Sequence, residues 1–221
     1  MTRVLALPLV LVALVAANAT AAERPFHSSV RPLPAQLRAD LTGRFWRPGC
    51  PVSLSQLRLL TVAHWGFDGS VRIGQLVVGR EYANDLRGVF RRLYDLRFPI
   101  RHMRLVDMYG PASSRPTGGD VTGSFECRQA VPSPCSGGSG TGNWSNHAYG
   151  RAIDLNPLEN PYVGCGRTRN RSAARYLDRS RLRPGMVTPA VVRAFSSIGW
   201  GWGGAWTGDT KDYMHFSVSG R

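Results

Sequence analysis

Residues 145–154 read Ser-Asn-His-Ala-Tyr-Gly-Arg-Ala-Ile-Asp, and residues 212–215 read Asp-Tyr-Met-His. A hydrolytic zinc centre needs three protein ligands and one open position for water, whose pKa the ion lowers towards neutrality. His147, Asp154 and His215 supply that set. The attacking water must also lose its proton to a carboxylate that lies near the metal without binding it. Asp212, three residues before His215, is the candidate. Tyr149 and Gly150 predict a turn after His147, and Arg151 to Leu155 a short strand whose alternation turns Asp154 away from the core-facing Ile153 and Leu155. Two residues seven positions apart would then converge on one ion. A His-His-Asp set also accepts other divalent ions, so zinc itself is an inference.

Outward from this motif, Glu23 to Pro51 is rich in Pro and Arg, lacks a period, and predicts an extended lead-in. Ser53 is a candidate N-cap for a short helix through Leu60. Val62–Phe67 and Val71–Val78 flank Asp68-Gly69, a strong hairpin signal. From Glu81, Leu86, Val89, Phe90, Leu93 and Leu96 recur at helical spacing with Arg87, Arg91 and Arg92 opposite, which predicts an amphipathic helix ending before Pro99. Ile100–Met108 reads as a strand. Pro111–Trp144 is a long loop dense in Gly, Ser, Thr and Pro, the kind of ordered loop that usually serves function. A second loop with many arginines runs to Pro184. Thr188-Pro189 marks an N-cap and first helical position, and Val191, Val192, Phe195 and Ile198 the buried face of that helix. Lys211–Ser219 is expected to be the last strand. Helices and hairpins in mixed order predict an α+β fold.

The 221 residues suit one domain. Met1–Ala22 has one basic residue, an apolar run from Val4 to Ala17 and a small-residue end, the pattern of a secretory signal peptide. The run is shorter than the ~20 apolar residues that span a bilayer. The expected boundaries are 1–22 signal peptide, 23–48 lead-in and 49–221 zinc domain. Net charge is +14, nearly all arginine, since Lys211 is the only lysine; such a balance calls for an acidic partner. No basic patch interleaved with aromatics points to nucleic acid, and export argues against it. Cys50, Cys127, Cys135 and Cys165 contain no Cys-x-x-Cys zinc pattern, so disulfides are expected, with three connectivities open. His27, His64 and His102 read as structural, Asp107 as a partner of loop backbone, and Asp209 as a weaker rival to Asp212.

The wording SNHAYGRAIDLNP (145–157) and KDYMHF (211–216) resembles the zinc D-alanyl-D-alanine carboxypeptidase and L-alanyl-D-glutamate endopeptidase family of bacterial cell-wall enzymes. In that family a Ser-x-His-x-x-Gly-x-Ala-x-Asp segment supplies two ligands, and an acidic residue shortly before a final His supplies the base and third ligand. The likeness runs from about Gly49 to the end and includes WGFDG, RLVDMYG and GWGWGG. It implies the small antiparallel sheet with flanking helices shared with the Hedgehog signalling domain. It implies a secreted zinc metallopeptidase that cuts peptidoglycan stem peptides, as a D,D-carboxypeptidase or an L-Ala-D-Glu endopeptidase. By the same resemblance Arg115 binds a substrate carboxylate or steadies the oxyanion, although Pro116-Thr117 stands where the family has Ser-Met. TGSFECR (122–128) resembles a cleft-lining segment, which implies that Thr122, Ser124, Phe125 and Arg128 line the cleft or else position Cys127, with Ser124 expected at the substrate.

Ser145 is expected to orient His147, touch substrate or cap a turn. Trp202, with Trp200 and Trp206, is expected in the cleft wall. Relatives often keep equivalents of Cys50 and Cys127 alone, which implies the pairs Cys50–Cys127 and Cys135–Cys165. Expected partners are stem peptides and the anionic cell wall, with no nucleic acid, no membrane after signal cleavage, and a monomeric state. The alternatives are a non-catalytic zinc-containing wall-binding module, as the Hedgehog fold permits, and a basic wall-anchoring protein.

Overall fold

The computed structural model describes residues 25–136 and 140–221. The segment read as a signal peptide, residues 1–22, lies outside them. Ser28–Pro32 forms strand β1 and Ala35–Leu41 helix α1. The lead-in expected over Glu23–Pro51 is therefore corrected, because much of it is core. Leu33, Leu37, Leu41 and Phe45 recur every fourth residue, and all are buried; this is one apolar stripe on a helical period, interrupted in appearance by Pro34. Replacing Leu41, which is fully buried, by Ala should cost about 2–5 kcal/mol. A shift in the urea midpoint checks it, and a midpoint within error of wild type would return this segment to the status of a lead-in.

Ser53 and Gln56 do form a reciprocal cap, but around a single 3-10 turn (Leu54–Gln56), and the chain enters strand β2 (Leu57–Trp65) instead of the expected helix. The strand wins because both of its faces are buried. Leu60 and Val62 join one apolar cluster, while Leu57 and Leu59 join another on the opposite face. Strand β3 (Val71–Gly79) completes the hairpin, and the first sheet runs β1-β2-β3, antiparallel throughout. Helix α2 (Ala83–Asp95) covers one face with Leu86, Val89, Phe90 and Leu93, whereas Leu96 falls past its end and is exposed. The strand expected at Ile100–Met108 is absent. Asp107 accepts the backbone N–H of Arg104 at 3.1 Å and starts helix α3 (Leu105–Tyr109) there.

The second half is built of short strands: β4 (Ala152–Asp154), β5 (Tyr162–Gly164) and β6 (Arg167–Thr168). Helix α4 (Pro189–Ser196) begins as expected, with the Thr188 hydroxyl accepting the Val191 N–H; it buries Val191, Ala194 and Phe195, while Val192 and Ile198 are only partly covered. Strands β7 (Gly201–Trp202), β8 (Lys211–Asp212) and β9 (His215–Ser217) follow. The last strand expected over Lys211–Ser219 is thus two strands, because a turn at Tyr213-Met214 sends β8 into a sheet of order β6-β5-β8 and β9 into one of order β4-β9-β7. Ile153 of β4 and Phe216 of β9 reach into the same core as α2, and Phe216 stacks on Phe195 of α4 at 3.9 Å.

The class is α+β, with three small antiparallel sheets in place of one. The disulfides Cys50–Cys127 and Cys135–Cys165 span Cα separations of 5.9 and 5.7 Å, within the range the bond requires. No helix among the described residues is long and apolar enough to cross a membrane.

Candidate metal centre

Asn146–Tyr149 forms one 3-10 turn. Its start is capped by Ser145, whose Oγ accepts the His147 N–H at 3.3 Å. Gly150 closes it with φ 65°, and a Cβ there would meet the Gly79 backbone nitrogen at 2.5 Å, so only glycine fits. The chain then enters β4, and Asp154 stands directly opposite His215 of β9 in the antiparallel register. Opposed residues of such a pair have Cβ atoms roughly 4.5–5.5 Å apart. The turn swings His147 onto the same point.

His147 Nε2 lies 3.2 Å from Asp154 Oδ2 and 3.3 Å from His215 Nδ1, and His215 Nδ1 lies 3.1 Å from Asp154 Oδ1. All three donor atoms fall within 4.8 Å of one another. His147 Nδ1 is 2.6 Å from the Ser124 carbonyl oxygen. A carbonyl has no proton to give, so Nδ1 carries a hydrogen and Nε2 is the nitrogen that faces the cluster. The histidines are almost wholly buried. Burial opposes ionisation of Asp154, yet the adjacent His147 and His215 outweigh it and hold the carboxyl well below the usual range. An ionised carboxylate and two imidazoles converging in a buried corner fit a divalent cation of the zinc type, with the second nitrogen of His147 fixed by a backbone acceptor in the way metal-bound histidines usually are.

Asp212 stands beside this cluster on β8, three residues before His215 but across the Tyr213-Met214 turn. Its Oδ1 is enclosed and has no hydrogen-bond partner among the described residues. Burial and then the Asp154 charge raise its pKa to about 7, against the pull of His215, Arg128 and the Met214 N–H. Gly203 packs on it so closely that a Cβ would lie 2.5 Å from the Asp212 carbonyl oxygen. A cleft of about 270 Å³ opens over the site, walled by Arg128, Tyr162, Arg169 and Trp206 among others.

Several expected residues lie elsewhere. Arg115 is exposed in the 111–119 loop and does not line this cleft; Arg128, Arg169 and Arg221 are the cations that do. Ser124 is fully buried, and its hydroxyl donates to the Ala152 carbonyl at 2.7 Å, so its contact with the site is through its own carbonyl to His147 and not to substrate. Ser145 lines the cleft as well as capping the turn. Trp202 donates Nε1–H to the Tyr213 carbonyl and lines a separate groove with Val187 and Val192, while Trp200 is core; of the three tryptophans Trp206 is the one at the metal corner. His64 is buried within β2, and neither it, His27 nor His102 joins the cluster. Asp209 is exposed.

Asn156, two residues after Asp154, anchors this strand end and was signalled only by the Asn-Pro pair. At φ 44° its Nδ2 donates to the carbonyls of Pro99 and Gly185 at 2.8 and 3.1 Å, and its Oδ1 accepts the Arg101 N–H. Arg101 in turn bridges the buried Asp120 and Glu159 at 2.9 and 2.6 Å. Burial raises Glu159 from 4.5 to about 7, with Arg101 opposing and Asp120 reinforcing the shift. Glu159 then stays protonated in the folded chain over a range where the unfolded chain has lost that proton, so its contribution to stability falls as pH rises from 4.5 to about 7. Glu159→Gln should remove that slope, seen as a wild-type minus variant urea midpoint that declines across this window; a constant difference would contradict it.

A peptidase family model described as D-alanyl-D-alanine carboxypeptidase matches residues 139–218. The matched stretch contains His147, Asp154, Asp212 and His215 but neither Arg115 nor Ser124. At that level the similarity supports a peptidase. No match is found among curated proteins or solved structures.

Proposed function

We propose that this chain is an exported zinc metallopeptidase that removes the C-terminal residue from stem peptides of bacterial peptidoglycan, the D,D-carboxypeptidase reaction. The observation that carries the proposal is the convergence of three donor atoms, two of them on buried histidines, beside an enclosed carboxylate with an unpartnered oxygen. A binding site needs the three ligands; it has no use for the fourth group. His147, Asp154 and His215 would hold the ion. A divalent ion there supplies Lewis acidity, lowering the pKa of water in its open position and polarising a carbonyl.

The remaining steps belong to the chain. Asp212 takes the proton of the attacking water on its free oxygen and returns it to the departing amine, a role suited to a carboxyl whose burial brings its pKa near neutrality. Arg128 and Arg169 face the same cleft and are placed to hold the terminal carboxylate and the developing oxyanion. Trp206, whose ring centroid is 6.3 Å from that of His215, narrows water access on one side. Export is supported by the two disulfides, which persist in oxidising compartments.

The preference for a terminal carboxylate is tested with a soluble stem pentapeptide ending in D-Ala-D-Ala, offered with a free or an amidated C-terminus. The expected result is release of D-alanine from the free form and loss of most turnover on amidation. Internal cleavage of both forms at equal rates would replace the carboxypeptidase assignment by the endopeptidase one.

A further inference from the structure

Between Arg167 and Arg183 stand seven arginines and one acid, Asp178. Arg167, Arg169, Arg171, Arg175, Arg181 and Arg183 are exposed, and none of them forms a salt bridge among the described residues. Elsewhere Arg72 and Arg91 find the acids Asp68 and Asp95, while others such as Arg87 and Arg92 are unbridged but scattered; what sets residues 167–183 apart is the density of exposed, unbridged arginines in one short segment. Asp178 is occupied by Ser180, which donates its N–H at 2.9 Å and its hydroxyl at 2.6 Å. Half-buried Arg179 turns inward to the carbonyls of Glu159 and Val187. Arg169 donates to the Pro132 carbonyl, Arg175 lies over the Tyr176 ring and Arg183 acts on Asp178 only at longer range, so the six exposed guanidiniums leave an excess of positive charge that no carboxylate bridges and that an outside anion would relieve.

The segment is not a loose tail. β6 pairs with β5, the Cys135–Cys165 bond fastens its start, and Asn170 donates to the Gly118 carbonyl at 3.1 Å and so ties it to the loop that holds Arg115. It also leads into the active cleft. β5 lies between β6 and β8, Tyr162 is paired with Asp212, and Arg169 lines the cleft itself. A fixed row of forked cations with no bridging carboxylate, running out of the proposed catalytic cleft, fits an extended chain of oxyanions. Guanidinium binds phosphate and carboxylate in bidentate fashion and keeps its charge at any pH the site would meet.

We propose that residues 167–183 are a docking surface for an anionic cell-wall polymer bearing repeated phosphodiester or carboxylate groups, which holds the enzyme on insoluble substrate. The choice of a wall polymer rests on the function proposed above; the presence of a polyanion surface does not.

The test uses the full disulfide-bonded chain in co-sedimentation with purified wall sacculi. Three forms are compared: intact, stripped of phosphodiester-linked polymer, and amidated on free carboxyls. R167Q/R171Q/R175Q is set against a control that loses equal charge on β1 and α2, R31Q/R87Q/R92Q, and both are checked for an unchanged melting midpoint. Expected is at least a tenfold weaker association of the first variant alone, with a shallower dependence of log K on log salt and unchanged turnover of the soluble pentapeptide. Loss confined to the stripped walls names the phosphodiester as the ligand, and loss confined to the amidated walls names the carboxylate. Equal weakening of both variants, or no weakening, would overturn the surface, and tighter retention of double-stranded DNA than of walls would overturn the partner. Should the wild type bind through this strip yet cleave no peptide, the docking surface stands and the proposed activity falls.

Discussion

Asp212→Ala protein should bind one divalent ion per chain as the wild type does and turn over the stem peptide about 10²–10⁴-fold more slowly, the usual share of a general acid–base group. The reason lies in placement. Asp212 sits on β8, and the ligand His215 sits on β9 of a different sheet, so the carboxylate approaches the cluster from the side without joining the three donor atoms. Removing it takes away the proton acceptor and leaves the ligands in place. A second readout follows from the raised pKa. Keeping Asp212 ionised beside Asp154 in a buried corner disfavours the folded metal-free protein above a pH of about 7. Asp212→Asn should therefore raise the melting midpoint of the metal-free protein at alkaline pH while it abolishes turnover. Retained turnover in either variant would remove Asp212 from the mechanism.

Asp154→Ala should have the other large effect, through metal rather than proton transfer. Asp154 is the single carboxylate of the cluster, and its two oxygens each face a different histidine at 3.1–3.2 Å. Loss of a group that merely orients a ligand costs roughly 10–100-fold in metal affinity; loss of a charged ligand should exceed that. Bound metal, measured by mass spectrometry after gel filtration, should fall from one ion per chain to background. The rise in melting midpoint on adding zinc, which reports binding to the folded state alone, should vanish with it. A variant that kept stoichiometric metal would show that the cluster is not the site.

The His147–Asp154–His215 cluster was legible in the sequence because its logic is local. A turn, a three-residue strand and a cross-strand partner bring His147, Asp154 and His215 together, and each piece is signalled by neighbouring residues: Ser145 and Gly150 at the turn, Ile153 and Phe216 as the buried anchors. The cleft wall was legible only in part, at Arg128 and Trp206, because it is made by distant loops. Arg128 and Arg169 reach it through the Cys50–Cys127 and Cys135–Cys165 segments, and nothing adjacent to Arg115 shows that its loop stays outside. Trp202 and Trp206 are four residues apart in a glycine-rich run, where no period says which side each will face. The early helix α1 was hidden by proline and arginine composition although its every-fourth apolar spacing was present. The helix expected after Ser53 lost to a strand for a tertiary reason, since a residue buried on both faces of a sheet has no solvent side to preserve.

Peptide hydrolysis at the His147–Asp154–His215 cluster is the reaction proposed for this chain. It is tested most directly by incubating the disulfide-bonded protein with purified peptidoglycan and identifying new amino and carboxyl termini by mass, before chelation, after chelation, and after zinc is returned. The expected result is cleavage that stops on chelation and resumes with zinc. No new termini from the zinc-loaded protein, or cleavage that survives chelation, would contradict it.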